Sequence, residues 1–106
     1  MARASELLYT GDTIDAQTAL AWGLVSKVVP SERLMDEARA LAQRIVRQPP
    51  DVLRMTKRLL REGQSASFDM IMELSAAMQS LAHHTEDHAE AVNAFFEKRP
   101  GNFKGR

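Results

Sequence analysis

Apolar positions in this chain recur every three to four residues, the spacing that lines one face of a helix. A short first helix is predicted over Arg3 to Thr10, ended by Gly11, a residue that takes the left-handed conformation at little cost. Asp15 then reads as an N-cap for Ala16 to Trp22, with Ile14 placed to staple onto Ala19 and Gly23 as the stop. Leu24 to Val29 leaves this period. It is rich in β-branched residues, closed by Pro30, and fits one short strand or an extended connector.

Ser31 is the expected cap of the clearest helix, in which Leu34, Ala38, Leu41, Ala42, Ile45 and Val46 share a face while Arg39, Gln43, Arg44 and Arg47 point away. Gln48-Pro49-Pro50 must end it, because a residue before proline is pushed out of the helical region, and Pro50 suits the first turn of the next helix. That helix, about Pro50 to Arg61, carries Val52, Met55 and Leu59 as its buried line. The most apolar helix follows from Phe68 to Leu81, with Ile71, Leu74, Met78 and Leu81 on one line and Phe68, Met72 and Ser75 on its neighbour. Thr85 or Asp87 caps a last helix, which has Glu86, Asp87 and Glu90 in its first turns and Lys98 and Arg99 at its end, each sign where the helix dipole favours it. Pro100-Gly101-Asn102 then releases a basic tail. The expected fold is all-α: about six helices with short loops, at most one extended segment near 24–29, in a single domain over 1–106.

Charge and composition narrow the function. Lys+Arg and Asp+Glu both total 14, so a general electrostatic grip on nucleic acid or an anionic membrane is not expected. With no cysteine there is no disulfide, no thiol nucleophile and no Cys-type zinc site. The apolar patch Leu7-Leu8-Tyr9 is too short for a signal-peptide core, and no later stretch is long enough to span a membrane, which makes the cytoplasm the expected location. The apolar stripe of Phe68 to Leu81 is wide for so short a chain, and self-association is the partner it suggests.

Candidate chemistry is sparse. His84 and His88, with Glu86, Asp87 and Glu90 nearby, could be imagined as a metal site, but His84 precedes the cap and no HExxH arrangement occurs; surface histidines at a turn are the expectation, with no metal. Arg54, Lys57, Arg58 and Arg61 form a basic stripe at helical spacing, either a solvated helix face or a site for phosphates, and the pattern alone does not choose. Trp22, Tyr9 and Phe68 read as packing residues. Phe95 and Phe96 are adjacent on the last helix, so one is expected in the core and the other free for a neighbour or ligand. No GxSxG elbow, phosphate-binding glycine loop or tuned carboxylate pair is present, so no catalytic residue is assigned.

Three motifs nevertheless carry a resemblance. Glu6-Leu7-Leu8-Tyr9-Thr10-Gly11 leads through Ala16 and Ala19 to Gly23-Leu24-Val25 and Val28-Val29-Pro30. Pro49-Pro50 is followed by Thr56-Lys57 and Leu60, and Glu90 by Ala94-Phe95-Phe96-Glu97-Lys98-Arg99-Pro100 and Phe103. In this order and spacing the stretch from Ser5 to Lys104 resembles the C-terminal part of the crotonase family, the enoyl-CoA hydratases and isomerases. Glu90-Ala91 stands where the family usually has Glu-Gly.

The resemblance implies a helical trimerisation domain that lies over the active site, while the larger N-terminal spiral domain, with its oxyanion-hole amides and acid/base carboxylates, is not on this chain. It implies addition of water to an enoyl-CoA or a shift of its double bond in the full enzyme, with the enolate held by backbone N–H donors. Acyl-CoA is then substrate rather than resident cofactor, and no cofactor is expected. Lys98 carries over as a contact to coenzyme A phosphates of a neighbouring subunit. The aromatic that some members use to line the acyl pocket is not evident; Gln79 or Ala82 lies in that region. The alternative is a non-catalytic helical protein–protein interaction module.

Overall fold

The computed structural model describes residues 2–106. Six α-helices follow one another: α1 (Ala2–Thr10), α2 (Ala16–Ala21), α3 (Leu34–Val46), α4 (Pro50–Glu62), α5 (Phe68–His83) and α6 (Glu86–Glu97). No strand occurs among the described residues, so the all-α expectation holds and 24–29 is a connector without a ladder partner. Contacts group the chain into two compact units that divide between Arg39 and Ala40, within α3.

In the first unit, Gly11 and Gly23 end α1 and α2 at φ of 69° and 75°, the left-handed backbone that favours glycine. Asp15 caps α2 as the sequence suggests, its carboxylate accepting from the Thr18 N–H at 2.7 Å, and this bond holds its pKa below the ordinary value. Trp22 is half-buried with the Arg3 guanidinium 5.7 Å from its ring. Tyr9 does not pack among the described residues: it is almost fully exposed at the end of α1. Ser31 does not cap α3 through its side chain either. Ser31–Arg33 form a 3₁₀ turn entered from Pro30, whose carbonyl accepts from the Arg33 N–H, and α3 begins only at Leu34. Glu37 of α3 is gripped by Lys27 and Arg33, at 2.5 and 2.7 Å, which depresses its pKa through the Lys27 contact first.

In the second unit α4 packs on α5 and α5 on α6. Pro49 and Pro50 start α4 without a side-chain cap, Pro50 filling the position where its missing N–H has no partner to lose. Ser67 caps α5 by accepting from the Met70 N–H at 3.3 Å. Thr85, rather than Asp87, caps α6: its hydroxyl accepts from the His88 N–H at 3.1 Å and donates to the Ala82 carbonyl at 2.7 Å, which ties the ends of α5 and α6 together. Met78, at 8% exposure, and Ala94 are the buried apolar residues among those described, with Met55, Leu59, Ile71 and Leu74 half-buried around them.

The expected apolar line of α3 is open. Among the described residues Leu34, Leu41, Ile45 and Val46 keep about half or more of their surface exposed. Leu81 and Phe68 of α5 are likewise exposed, Phe68 at 75%.

Candidate functional site

Two features of the second unit combine shape with placed polar groups. The first is a groove of about 180 Å³ between α4 and α5. Met55, Leu59 and Met78 make its floor, and Thr56, Ser75 and Gln79 bring neutral hydrogen-bonding groups to it. Gln79 and Ala82, the residues singled out for want of an aromatic, both line this groove. It contains no carboxylate, imidazole or lysine, so it can bind apolar matter but not move a proton.

The second is the end of α6 and the tail that follows. The helix stops at Lys98, whose φ of 52° and ψ of 40° are left-handed, and whose N–H is spent on the carbonyls of Ala94 and Phe95. Lys98 is the one non-glycine residue at positive φ among those described, a conformation that costs an L-residue roughly 1–2 kcal/mol. It turns the chain back along its own helix. Arg99 then clasps Glu90 through two nitrogens, at 2.5 and 3.0 Å, and also bonds Glu97 at 2.5 Å. The Asn102 N–H donates to the same Glu90 carboxylate at 2.8 Å. The Arg99 bonds and then the Asn102 N–H hold the Glu90 pKa down at about 2, and the Arg99 pKa is raised by Glu90 and Glu97 in turn.

Further along, the Lys104 and Gly105 N–H groups donate to the two carboxylate oxygens of Asp87, each at 2.7 Å, while the Asp87 N–H donates to the Arg106 carbonyl at 3.1 Å. Asp87 is 3% exposed, the buried charged residue among those described. The Arg106 side chain closes the run on Glu86 at 3.0 Å. The basic tail expected to be released is therefore folded back, because the acids of α6 answer both its side chains and its backbone. The sequence places Asp87 among charges that complement a helix dipole; the spacing of Asp87 and Glu90 on one helix face, with a basic tail to follow, was the only available hint of this second role.

Other candidates fall out differently. Phe95 and Phe96 are both exposed, at 78% and 77%, with their rings edge to face at 5.7 Å. Neither enters the core, since Ala94 occupies the inward position of that turn at 4%. His84 Nδ1 lies 2.7 Å from the Ser80 carbonyl, and it is His83 that meets the His88 ring, centroids 4.6 Å apart. Among the described residues no group of three His, Cys, Asp or Glu side chains is placed to hold a metal. In the basic stripe Arg54 pairs with Asp51 and Arg58 reaches Glu62 at 4.0 Å, leaving Lys57 and Arg61 without an ion pair among the described residues. No described helix is long and apolar enough to cross a membrane.

Comparison with known proteins agrees with this architecture. The family model described as enoyl-CoA hydratase/isomerase matches residues 1–106. The chain is 39% identical to a crotonyl-CoA hydratase of Syntrophomonas wolfei over 94% of its own length and 38% of that protein's. It is 36% identical to the 2,3-dehydroadipyl-CoA hydratase of Escherichia coli, with 97% of this chain and 40% of that one covered. An enoyl-CoA hydratase crystal structure from Bacillus anthracis superposes with a TM-score of 0.94 at 34% identity, covering all of this chain and 41% of the other. The chain thus spans about 40% of the length of the relatives it matches. With a match along its whole length and helices that superpose on a solved family member, the chain belongs to the enoyl-CoA hydratase/isomerase family.

Proposed function

We propose that this chain is the C-terminal self-associating region that covers the active site of a cytoplasmic acyl-CoA enzyme, of hydratase or isomerase type, and that it is inactive alone. The observation that carries the reading is the exposed apolar surface of a family member spanning about 40% of its relatives: Phe68, Phe95 and Phe96 each expose three quarters or more of their surface. Side chains of that size contribute most when covered, by about 25 cal/mol per Å², and a chain this small has little else to gain from them. Further subunits, in a trimer or a multiple of one, would supply the cover.

Inactivity follows from the carboxylates. Glu90 is tied to Arg99 and held ionised far below neutral pH, and both Asp87 oxygens are occupied by backbone N–H groups, so neither is free to exchange a proton with a substrate. The thioester of coenzyme A is substrate here, and no resident cofactor is required. Lys98, without an ion pair among the described residues, is the cation offered to coenzyme A phosphates of a neighbouring subunit.

Purified chain should therefore show no hydration or isomerisation of crotonyl-CoA above the buffer background. Light scattering at roughly tens of micromolar, where weak oligomers populate, should find species larger than the monomer. Turnover by the chain alone, or a monodisperse monomer at every concentration, overturns the reading.

A further inference from the structure

A left-handed lysine needs a reason. At the residue that closes a helix in this conformation glycine is favoured, and a side chain held there persists only when its surroundings over-determine it. Here the surroundings are the tail. Just beyond Lys98 the Arg99 N–H returns to the Ala94 carbonyl at 3.0 Å, and Glu90 and Asp87 then receive the tail: Arg99 and the Asn102 N–H on Glu90, the Lys104 and Gly105 N–H groups on Asp87. Asp87 differs from Glu90 in having no cationic side-chain partner among the described residues and in being buried, so its two oxygens read the backbone of the tail and not its side chains. Gly105 fits that reading. Its φ of 75° bends the tail at the second of these bonds, and a Cβ there would lie at ordinary contact distance from Pro50 and Arg54, so backbone geometry rather than space is what favours glycine.

We propose that Asp87 is a positioning residue: by strapping the tail backbone onto α6 it holds Lys98 in its left-handed turn and so fixes the direction of the ammonium group offered to coenzyme A. Asp87 touches no substrate. It acts through the tail, and this role rests on the acyl-CoA reading given above. Asparagine at 87 is the closest probe, because it keeps the shape but turns one of two acceptors into a donor facing a backbone N–H. Alanine at Gly105 attacks the same strap from the tail, leaving α6 untouched. Glycine at Lys98 removes the ammonium group while relieving the backbone, so it separates binding from folding.

The test is made in the complete enzyme, with acyl-CoA kinetics and hydrogen exchange of the C-terminal peptide over 99–106. Asp87→Asn and Gly105→Ala should both raise exchange in that peptide. They should raise KM by roughly 3–10-fold, the size of one exposed charge-assisted contact, and more than they lower kcat. The KM effect should shrink as salt rises, as a merely structural defect would not. Lys98→Gly should raise KM to the same extent while keeping or increasing thermal stability. Faster exchange with KM unchanged in both strap variants overturns the positioning role, and so does unchanged exchange in both. An unchanged KM in Lys98→Gly removes the phosphate contact itself, and the positioning role with it, even where the tail has come loose.

Discussion

Helices α5 and α6 follow each other with a two-residue joint, yet their surfaces are satisfied in opposite ways. Along α6 the acids find partners inside the chain: Glu86 has Arg106, Asp87 has two tail amides, and Glu90 has Arg99 and Asn102. Along α5 the apolar residues do not. Ile71, Leu74 and Met78 turn inward, while Phe68, Met70, Met72 and Leu81 stay more than half exposed. The contrast separates two kinds of requirement. Hydrogen bonding is directional and local, and a buried carboxylate left unanswered costs heavily, so it must be met wherever the helix folds. Apolar burial is non-directional and waits for any cover of the right shape, which another chain or another part of a longer one supplies.

The sharpest way to break this comparison is to remove the one apolar side chain of α5 that is already buried. Met78→Ala should destabilise the chain by about 2–3 kcal/mol, the lower part of the range for a core methionine because the groove beside it is already open. Urea unfolding would measure it. A loss below 0.5 kcal/mol would mean that α4, α5 and α6 are not held by their apolar seam at all.

On the polar side, acid is the probe. The Glu90 pKa is depressed to about 2 by Arg99 and the Asn102 N–H, against an ordinary value of 4.5. A carboxylate whose pKa is lowered on folding contributes in full above its unfolded value, and that contribution drains away as the pH falls through the folded one. The strap should therefore be unchanged from neutral pH down to about 4.5 and loosen between there and about 2. Glu90→Gln should remove the Glu90 share of this acid dependence, read at the Asn102 amide that donates to it, by hydrogen exchange. A tail that opens between pH 5 and 7 instead would point away from Glu90.

How much of this was legible in the sequence follows the same division. The helices could be read because their signals are local: Gly11 and Gly23 as stops, Asp15 as a cap, Pro50 at a first turn. Ser31 misled because Pro30 imposes a tight turn before the helix proper, a matter of backbone path that a capping residue type does not reveal. The face of α3 was legible as a stripe but not as an open one, since periodicity says which residues share a side and not whether anything lies against it. The tail was missed for a different reason. Its bonds join Asp87 to residues 17 and 18 positions away, and they run to backbone amides, which every sequence has everywhere. The adjacent phenylalanines had to part company on a helix, but that either one enters the core did not follow, with a small alanine at the inward position.

The smallest expected change in stability is the most informative about the open side of the comparison. Phe68 opens α5 just after its Ser67 cap and keeps three quarters of its surface in solvent, so its ring contributes little to holding this chain together. Phe68→Gln leaves the cap untouched and should shift the unfolding free energy of the monomer by less than about 0.5 kcal/mol, the usual range for a surface substitution. If the exposed stripe is an interface, the same change should nonetheless weaken self-association in light scattering, because an aromatic ring at a contact is worth far more covered than bare. The two readouts are independent and pull apart the two roles. A large loss of monomer stability would place Phe68 in the fold of its own chain, as its sequence position first suggests. Unchanged stability with unchanged association would leave the ring as surface alone, and would move the search for the missing cover to Phe95 and Phe96.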